Sequence, residues 1–211
     1  MNKLEYSTIE GSAQDEFVEK RSRFIGYVKN VTSEEEAMDF VNSIRGKNRD
    51  ASHNVYAYIL RNGQIKRYSD DGEPQGTAGI PVLDVLQKQE LTDICAVVTR
   101  YFGGVLLGGG GLVRAYSHTV KIALDCAAIK VMSPCTELLL DMDYTLYGKV
   151  TYILPKYYIK TIESDFGATV KLKLLIKDEY ISQFKKELTE ITSGNVLPRE
   201  CEKYYASILE N

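Results

Sequence analysis

Runs of hydrophobic residues with two different spacings divide the first part of the chain into strands and helices. The segment 93–102 is apolar and β-branched almost throughout, which predicts a strand buried on both faces. The segment from about Leu112 to Ala128 has helical spacing and predicts a helix of about four turns. Segment 17–31 is typical of strands. His53–Leu60 and Gln64–Tyr68 predict a hairpin, with Asn62-Gly63 as a favoured two-residue turn.

Helix-start signals place two further helices in this part of the chain. Thr32 and Ser33 are followed three residues later by Glu35 and Glu36, which is the spacing of a capping box. A helix is therefore expected directly after this point. Segment 80–91 predicts a short helix with a proline in its first turn.

The last third of the chain has a different pattern, which begins near Pro134. A proline disfavours helix continuation from the residue before it, so we expect two domains, 1–132 and 133–211. The second domain reads as strand, helix, strand, strand, helix, strand. This is the split βαβ order of a ferredoxin-like domain. The predicted elements are 136–144, 148–156, 157–163, 169–176, 179–192 and 202–209.

Composition indicates an ordinary globular chain. Hydrophobic residues make up 44% of the 211 residues and charged residues 26%, and the net charge is −3. A negative chain is not drawn to nucleic acid as a whole, so any such contact needs a local basic patch. Four cysteines without C-x-x-C spacing disfavour a zinc site or disulfide framework. No apolar stretch suits a signal peptide or a membrane span, so we expect a cytoplasmic protein.

A glycine run after the buried strand is the strongest candidate site. Six of the nine residues from Gly103 to Gly111 are glycine, and a helix follows at once. A strand, a glycine loop and a helix N-terminus together suit an anion such as phosphate, because backbone N–H groups are left free there. The spacing matches neither a Walker A loop nor G-x-G-x-x-G. Tight packing of helix on strand is the structural alternative.

Basic residues surround this run and extend the candidate phosphate or nucleic-acid site. On the following helix, Arg114, His118, Lys121 and Asp125 fall on one face, although a solvated helix surface has the same pattern. Arg100 precedes the run and Arg67 lies on a predicted strand. The complete candidate set is Arg67, Arg100, Gly108, Gly109, Gly110, Gly111, Arg114, His118 and Lys121.

A second candidate site is the acidic segment Asp70-Asp71-Gly72-Glu73. Three carboxylates in four residues could hold magnesium or act as acid and base, and His53 would join them if the fold brought it near. A tight turn that uses Asp and Gly for its geometry is the alternative. No nucleophile and base pair can be recognised, because Ser117 and His118 are adjacent on a helix and point apart.

Four sequence blocks closely resemble the Impact/YigZ family, and the βαββαβ order of the last third is similar to that of its bacterial members. They are SRFIGYV at 22–28, ASHNVYAY at 51–58, SDDGEPQGTAGIPVLDVL at 69–86 and VVTRYFGGVLLGGGGLVRAYS at 97–117. The resemblance implies an α+β protein. Its N-terminal domain would be a two-layer α/β domain like one in a ribosomal small-subunit protein, and its C-terminal ferredoxin-like domain would resemble the last domain of elongation factor G.

From the residues and the resemblance together we expect a translation-linked regulatory protein that binds RNA or the ribosome without catalysis and without a cofactor or metal. Phosphate contacts of this kind position a protein and do not read sequence. Two alternatives from other classes stay open. One is an enzyme that binds a phosphate or nucleotide with the glycine loop and magnesium with the acidic segment, and the other is a protein-interaction module.

Overall fold

The computed structural model describes residues 5–208, and their internal contacts divide them into two units. The first unit spans residues 6–130, and the second comprises residues 131–208 with Glu5. The expected boundary after residue 132 falls inside strand β7 (Ile129–Met142), which continues through Pro134. Pro134 is tolerated because it lies opposite Tyr205 of β10, one residue before the pairing of β7 with β9 begins. Independent folding of the two domains stays a prediction.

An antiparallel five-stranded sheet forms the centre of the N-terminal unit, in the order β2-β3-β6-β4-β5. Strand β1 precedes it in the chain. The elements in chain order are β1 (Tyr6–Ile9), β2 (Ser12–Glu19), β3 (Ser22–Asn30), α1 (Glu34–Lys47), β4 (His53–Leu60), β5 (Ile65–Ser69), α2 (Gly79–Lys88), β6 (Ile94–Tyr101) and α3 (Gly109–Asp125).

Helices cover both faces of this sheet, so the unit has three layers and the expectation of two layers is wrong. Ile94, Ala96 and Val98 of β6 belong to the core beneath α2 and α3. Cys95 and Val97, which alternate with them, belong to a second core beneath α1. The central strand is therefore buried on both faces, as its sequence predicts.

The local signals predicted the start of α1 correctly but predicted the wrong length for the hairpin loop. Ser33 caps α1 by accepting the Glu36 N–H, and Glu36 accepts the N–H and hydroxyl of Thr32. This confirms the serine cap of the capping box, whereas the return bond of Glu36 goes to Thr32 and not to the N–H of Ser33. The β4–β5 hairpin is present, but Leu60 pairs with Ile65 and leaves four loop residues, not a two-residue turn. The Arg61 N–H bonds the Asp93 carboxylate, which ties the loop to a distant residue.

The C-terminal unit has the predicted order βαββαβ, with boundaries that differ by several residues. Its strands lie in the order β10-β7-β9-β8, and every pair is antiparallel. This is the split βαβ arrangement. The predicted last strand ended at Leu209, which lies outside the described residues. The elements after β7 are α4 (Tyr144–Ile153), β8 (Lys160–Phe166), β9 (Val170–Lys177), α5 (Ile181–Thr192) and β10 (Arg199–Ala206).

Candidate functional site

Helix α3 begins at Gly109, three residues before the predicted start. Three of the glycines therefore belong to the helix and not to the loop. Gly108 is the cap residue at φ 75°, and it has no side chain to bond the free N–H groups. Gly109, Gly110 and Gly111 are in the first helical turn, and none has a positive φ. These three glycines therefore adopt a backbone conformation that other residues could also adopt. Gly109 and Gly110 are exposed and Gly111 is half-buried, so most of the backbone at this helix end is uncovered.

A positive φ and close packing both occur earlier in the loop. Gly104 has φ 80°, in the left-handed region. At Gly103, a Cβ would stand 2.1 Å from the carbonyl carbon of Arg21, so only glycine fits between the loop and the β2–β3 turn. The loop is thus fixed against that turn.

The β2–β3 turn adds two cations, Lys20 and Arg21, that are not among the residues predicted from the sequence to bind phosphate. Glu19 pairs with Ser22, so Lys20 and Arg21 form a two-residue turn with φ values of 47° and 67°. Such a turn favours Asn-Gly, and two long cationic side chains there are costly in backbone strain. The turn at Lys20 and Arg21 could not be predicted from residue type, because neither lysine nor arginine is typical of a two-residue hairpin turn. Two basic residues between two strand patterns were the available signal.

A groove lies between this turn and α3. It has a volume of about 260 Å³ and holds the cationic side chains of Lys20 and Arg114. Across residues 5–208 neither of these two cations has a hydrogen bond or an ion pair. The His118 ring stands edge-on to the Phe17 ring, with their centres 4.7 Å apart. The groove is lined by Phe17, Glu19, Lys20, Leu107, Gly111, Arg114, Ala115 and His118.

The predicted stripe on α3 is exposed along its length. Arg114, His118, Lys121 and Asp125 all face solvent, whereas Leu112, Tyr116, Val120 and Ala123 are buried. Lys121 is paired with Asp125 one turn away. We use the name α3 basic surface for Lys20, Arg21, Arg114, His118 and Lys121.

Arg100 does not belong to this surface. Its side chain is 6% exposed and donates to Glu73 Oε1 at 2.6 Å. The same oxygen accepts the Tyr116 hydroxyl at 2.7 Å. Burial, and secondarily the charge of Glu73, raises the pKa of Tyr116. The assignment of Arg100 to phosphate is wrong, because a carboxylate on the neighbouring loop already neutralises it.

Arg67 also lies away from the glycine loop, although the sequence predicted that the two belong to one site. It lies on β5, at the opposite edge of the sheet from β2. Its guanidinium faces Glu34 at 3.9 Å. Because α3 packs on β2 and β3, the two sets of cations are on different sides of the sheet. Arg67 therefore serves as a matched control.

The acidic segment forms a structural turn in which both aspartates are already bonded within the protein. Asp70 accepts the N–H groups of Gly76, Ala78 and Gly79, and so caps α2. Asp71 accepts from Arg45 and from the Asn54 N–H. In the described part of the chain, no three acidic, histidine or cysteine side chains converge as metal ligands.

His53 does approach this segment, inside a buried network. Its Nδ1 lies 2.8 Å from the Asp71 carbonyl oxygen, so Nδ1 carries the proton. Its Nε2 is 3.9 Å from Glu73 Oε1. Glu73 is 3% exposed and already accepts two hydrogen bonds, so a substrate would have to displace them. This arrangement favours structural over catalytic roles for His53 and Glu73.

Two family models and several known proteins are similar to this chain. A family model described as the Impact N-terminal domain matches residues 20–124, and a model described as a domain of unknown function, DUF1949, matches residues 140–195. The chain is 36% identical to IMPACT family member YvyE of Bacillus subtilis, over 95% of this chain and 93% of that protein. The chain belongs to the IMPACT family. The resemblance recognised in the sequence is thereby confirmed.

Other relatives give the same picture over most of the length. IMPACT family member YigZ of Escherichia coli is 36% identical over 84% of this chain and 88% of that protein. A solved structure described as the crystal structure of an hypothetical protein is 33% identical, with a TM-score of 0.61, and the match covers 94% of this chain and 98% of that one. The mixed α and β architecture is therefore shared. No helix among residues 5–208 is long and apolar enough to cross a membrane.

Proposed function

We propose that this protein is a non-catalytic binding protein that contacts RNA phosphates, on free RNA or on the ribosome, through the α3 basic surface. The observation that carries the proposal is the groove that Lys20 and Arg114 line together: Glu19 also lines it, but neither cation forms an ion pair within residues 5–208. Unpaired cations facing one groove attract a polyanion locally, although the whole chain carries a net charge of −3. Membership in the IMPACT family supports a role for this binding in translation, which we propose takes place in the cytoplasm.

The strained turn supports the same surface. Lys20 and Arg21 occupy two left-handed positions where Asn and Gly would fold more readily. Strain of this type persists where a function requires the side chains. The uncovered backbone of Gly109–Gly111 offers N–H groups to the same anion.

Replacing the turn tests the proposal. The double variant K20N/R21G should raise the unfolding midpoint, because its turn residues suit the observed φ values. It should also weaken RNA and ribosome association and lower the log–log salt slope by about 0.7 to 0.9 per lost phosphate contact. R114A should lower the log–log salt slope by the amount expected for one lost phosphate contact, and it should not raise the unfolding midpoint. The readout is co-sedimentation with ribosomes and RNA binding across a salt series.

The matched control is K66A/R67A, which removes two exposed cations from the opposite edge of the sheet. This control should leave the salt slope at the wild-type value. If K20N/R21G and K66A/R67A lose the same amount of binding, net charge alone drives association. An unchanged slope in K20N/R21G and R114A would refute the role of the α3 basic surface.

A protein-interaction module is a second candidate, and the apolar tip of loop 102–108 favours it. Leu106 is 81% exposed, and Phe102 and Val105 are also exposed. Exposed apolar side chains in a cluster indicate a contact surface. If V105S/L106S loses ribosome association but keeps its affinity for free RNA, a ribosomal protein is the main partner. If both affinities persist, the tip has no part in binding.

A further inference from the structure

The groove beside the α3 basic surface combines charge with an apolar wall, and phosphate contacts alone do not require the second feature. Phe17, Leu107 and Ala115 line it together with the cations. The Phe17 ring is fixed by stacking on the buried Phe24 ring at 5.4 Å. A rigid apolar wall next to unpaired cations suits a ligand with one flat apolar part and one anionic part.

The size of the groove restricts this ligand further. A volume of about 260 Å³ is at or below the lower end of ordinary small-molecule pockets, which begin at about 300 Å³. One nucleotide is a suitable occupant, whereas a duplex is far too wide to enter. In a duplex the faces of the bases are stacked, so only an unpaired base can reach Phe17.

We propose that the groove binds a single unpaired RNA nucleotide, with its base against Phe17 and Leu107 and its phosphate between Lys20 and Arg114. The aromatic pair of Phe17 and His118 forms the base wall, in the way that aromatic side chains hold unstacked bases. Glu19, the acid in the groove lining, lies at the β2 end, where it accepts a hydrogen bond from an amino group of the base. This inference rests on the proposed RNA contact and deepens it.

The test compares single-stranded and duplex RNA by fluorescence anisotropy. The probes are a labelled ten-nucleotide oligoadenylate, whose bases carry the amino group, a ten-base-pair RNA duplex, and 5′-AMP as competitor. We expect the single strand to bind at least about tenfold more tightly than the duplex. F17L removes the ring and keeps an apolar side chain, so it should weaken single-strand binding about tenfold, within the range of roughly 5- to 150-fold per stacked base.

Two further variants separate the base contact from effects on folding. L107W narrows the groove and leaves every cation in place, so it should reproduce the F17L loss if the base enters there. V18L changes the exposed neighbour of Phe17 on the opposite face of β2 and should bind like the wild type. Neither F17L nor L107W should change the affinity for the duplex or the salt slope.

Each result has a defined meaning. Equal affinity for the single strand and the duplex, with F17L and L107W unchanged, would overturn the nucleotide proposal and leave the phosphate contact standing. If R114A leaves both RNA affinities unchanged, the proposed RNA function itself has failed. If 5′-AMP binds as tightly as the oligoadenylate, the ligand is a free nucleotide and not RNA.

Discussion

At the scale of single residues, partners far away in the sequence decide which charges are available. Arg100 and Arg114 both flank the glycine run. Arg100 is buried against Glu73 and Tyr116, and its Nε atom has no hydrogen-bond partner. Arg114 is exposed in the groove. One arginine therefore holds the loops together, and the other is free to meet a ligand.

The buried pair of Glu73 and Arg100 gives the first prediction. E73Q leaves the Arg100 charge buried without a counter-ion, and it should lower the free energy of unfolding by about 3–5 kcal/mol. Chemical denaturation at neutral pH measures this change. E73L/R100M removes both charges and should recover most of the loss. If E73Q unfolds like the wild type, the pair does not stabilise the fold in solution.

At the scale of elements, the glycine run divides into positions with different demands. Gly108 has a left-handed φ, whereas Gly110 is helical, and a Cβ there would meet only Arg114 Nη1 at 3.9 Å. The sequence could not separate these positions, because the helix start within a run of four glycines has no side-chain marker. Only the backbone geometry shows where the loop ends.

Alanine substitutions test this division. G110A should raise the free energy of unfolding by about 0.5–1 kcal/mol, because alanine favours the helix and the site is open. G108A should lower it by about 1–2 kcal/mol, since alanine is strained at φ 75°. Thermal and denaturant unfolding check both values. If G110A is destabilising and G108A is neutral, the helix does not begin at Gly109.

The α1 cap links stability to pH. Hydrogen bonds from the Thr32 backbone N–H and then from its hydroxyl lower the pKa of Glu36. A carboxylate with a lowered pKa in the folded state stabilises above its unfolded pKa, and that contribution is lost as pH falls through the folded value.

We therefore expect E36Q to be less stable than the wild type at pH 7 and to match it when the pH is well below 4. E35Q, on the exposed neighbouring position, should show a smaller difference at pH 7. S33A should cost about 1 kcal/mol at either pH, because the serine cap does not titrate. Urea unfolding at several pH values measures these effects. A constant difference between E36Q and the wild type at every pH would contradict the link to ionisation.

At the scale of the whole molecule, each unit has its own hydrophobic core. The two clusters above and below the first sheet draw only on residues between 6 and 130. The clusters of the second unit draw only on residues after 130. A unit with a complete core is expected to fold alone.

A fragment of residues 6–130 should accordingly fold and melt cooperatively, and it should keep the groove between the β2–β3 turn and α3. Circular dichroism and amide NMR of the fragment measure this directly. The fragment carrying K20N/R21G should melt at a higher temperature than the wild-type fragment. A fragment without a cooperative transition would show that the N-terminal unit depends on the rest of the chain.

The sequence by itself determined the elements whose signals are local. The Ser33 cap and its Glu36 partner are three residues apart, and the apolar spacing of α3 repeats every turn. The same holds for β6, where a continuous apolar run predicts burial on both faces. These signals depend on near neighbours along the chain, so they can be recognised without knowledge of the fold.

Only the tertiary structure decided which side chains form the candidate site. Glu73 is 27 positions from Arg100, and Ser22 is 78, yet both contact its guanidinium. Lys20 and Arg114 are likewise distant in sequence and meet in one groove because α3 packs on β2 and β3. Sheet order and helix packing bring such residues together or apart, and no local pattern encodes that order. The composition of the candidate site therefore follows from the fold, although the elements that carry it could be predicted from the sequence.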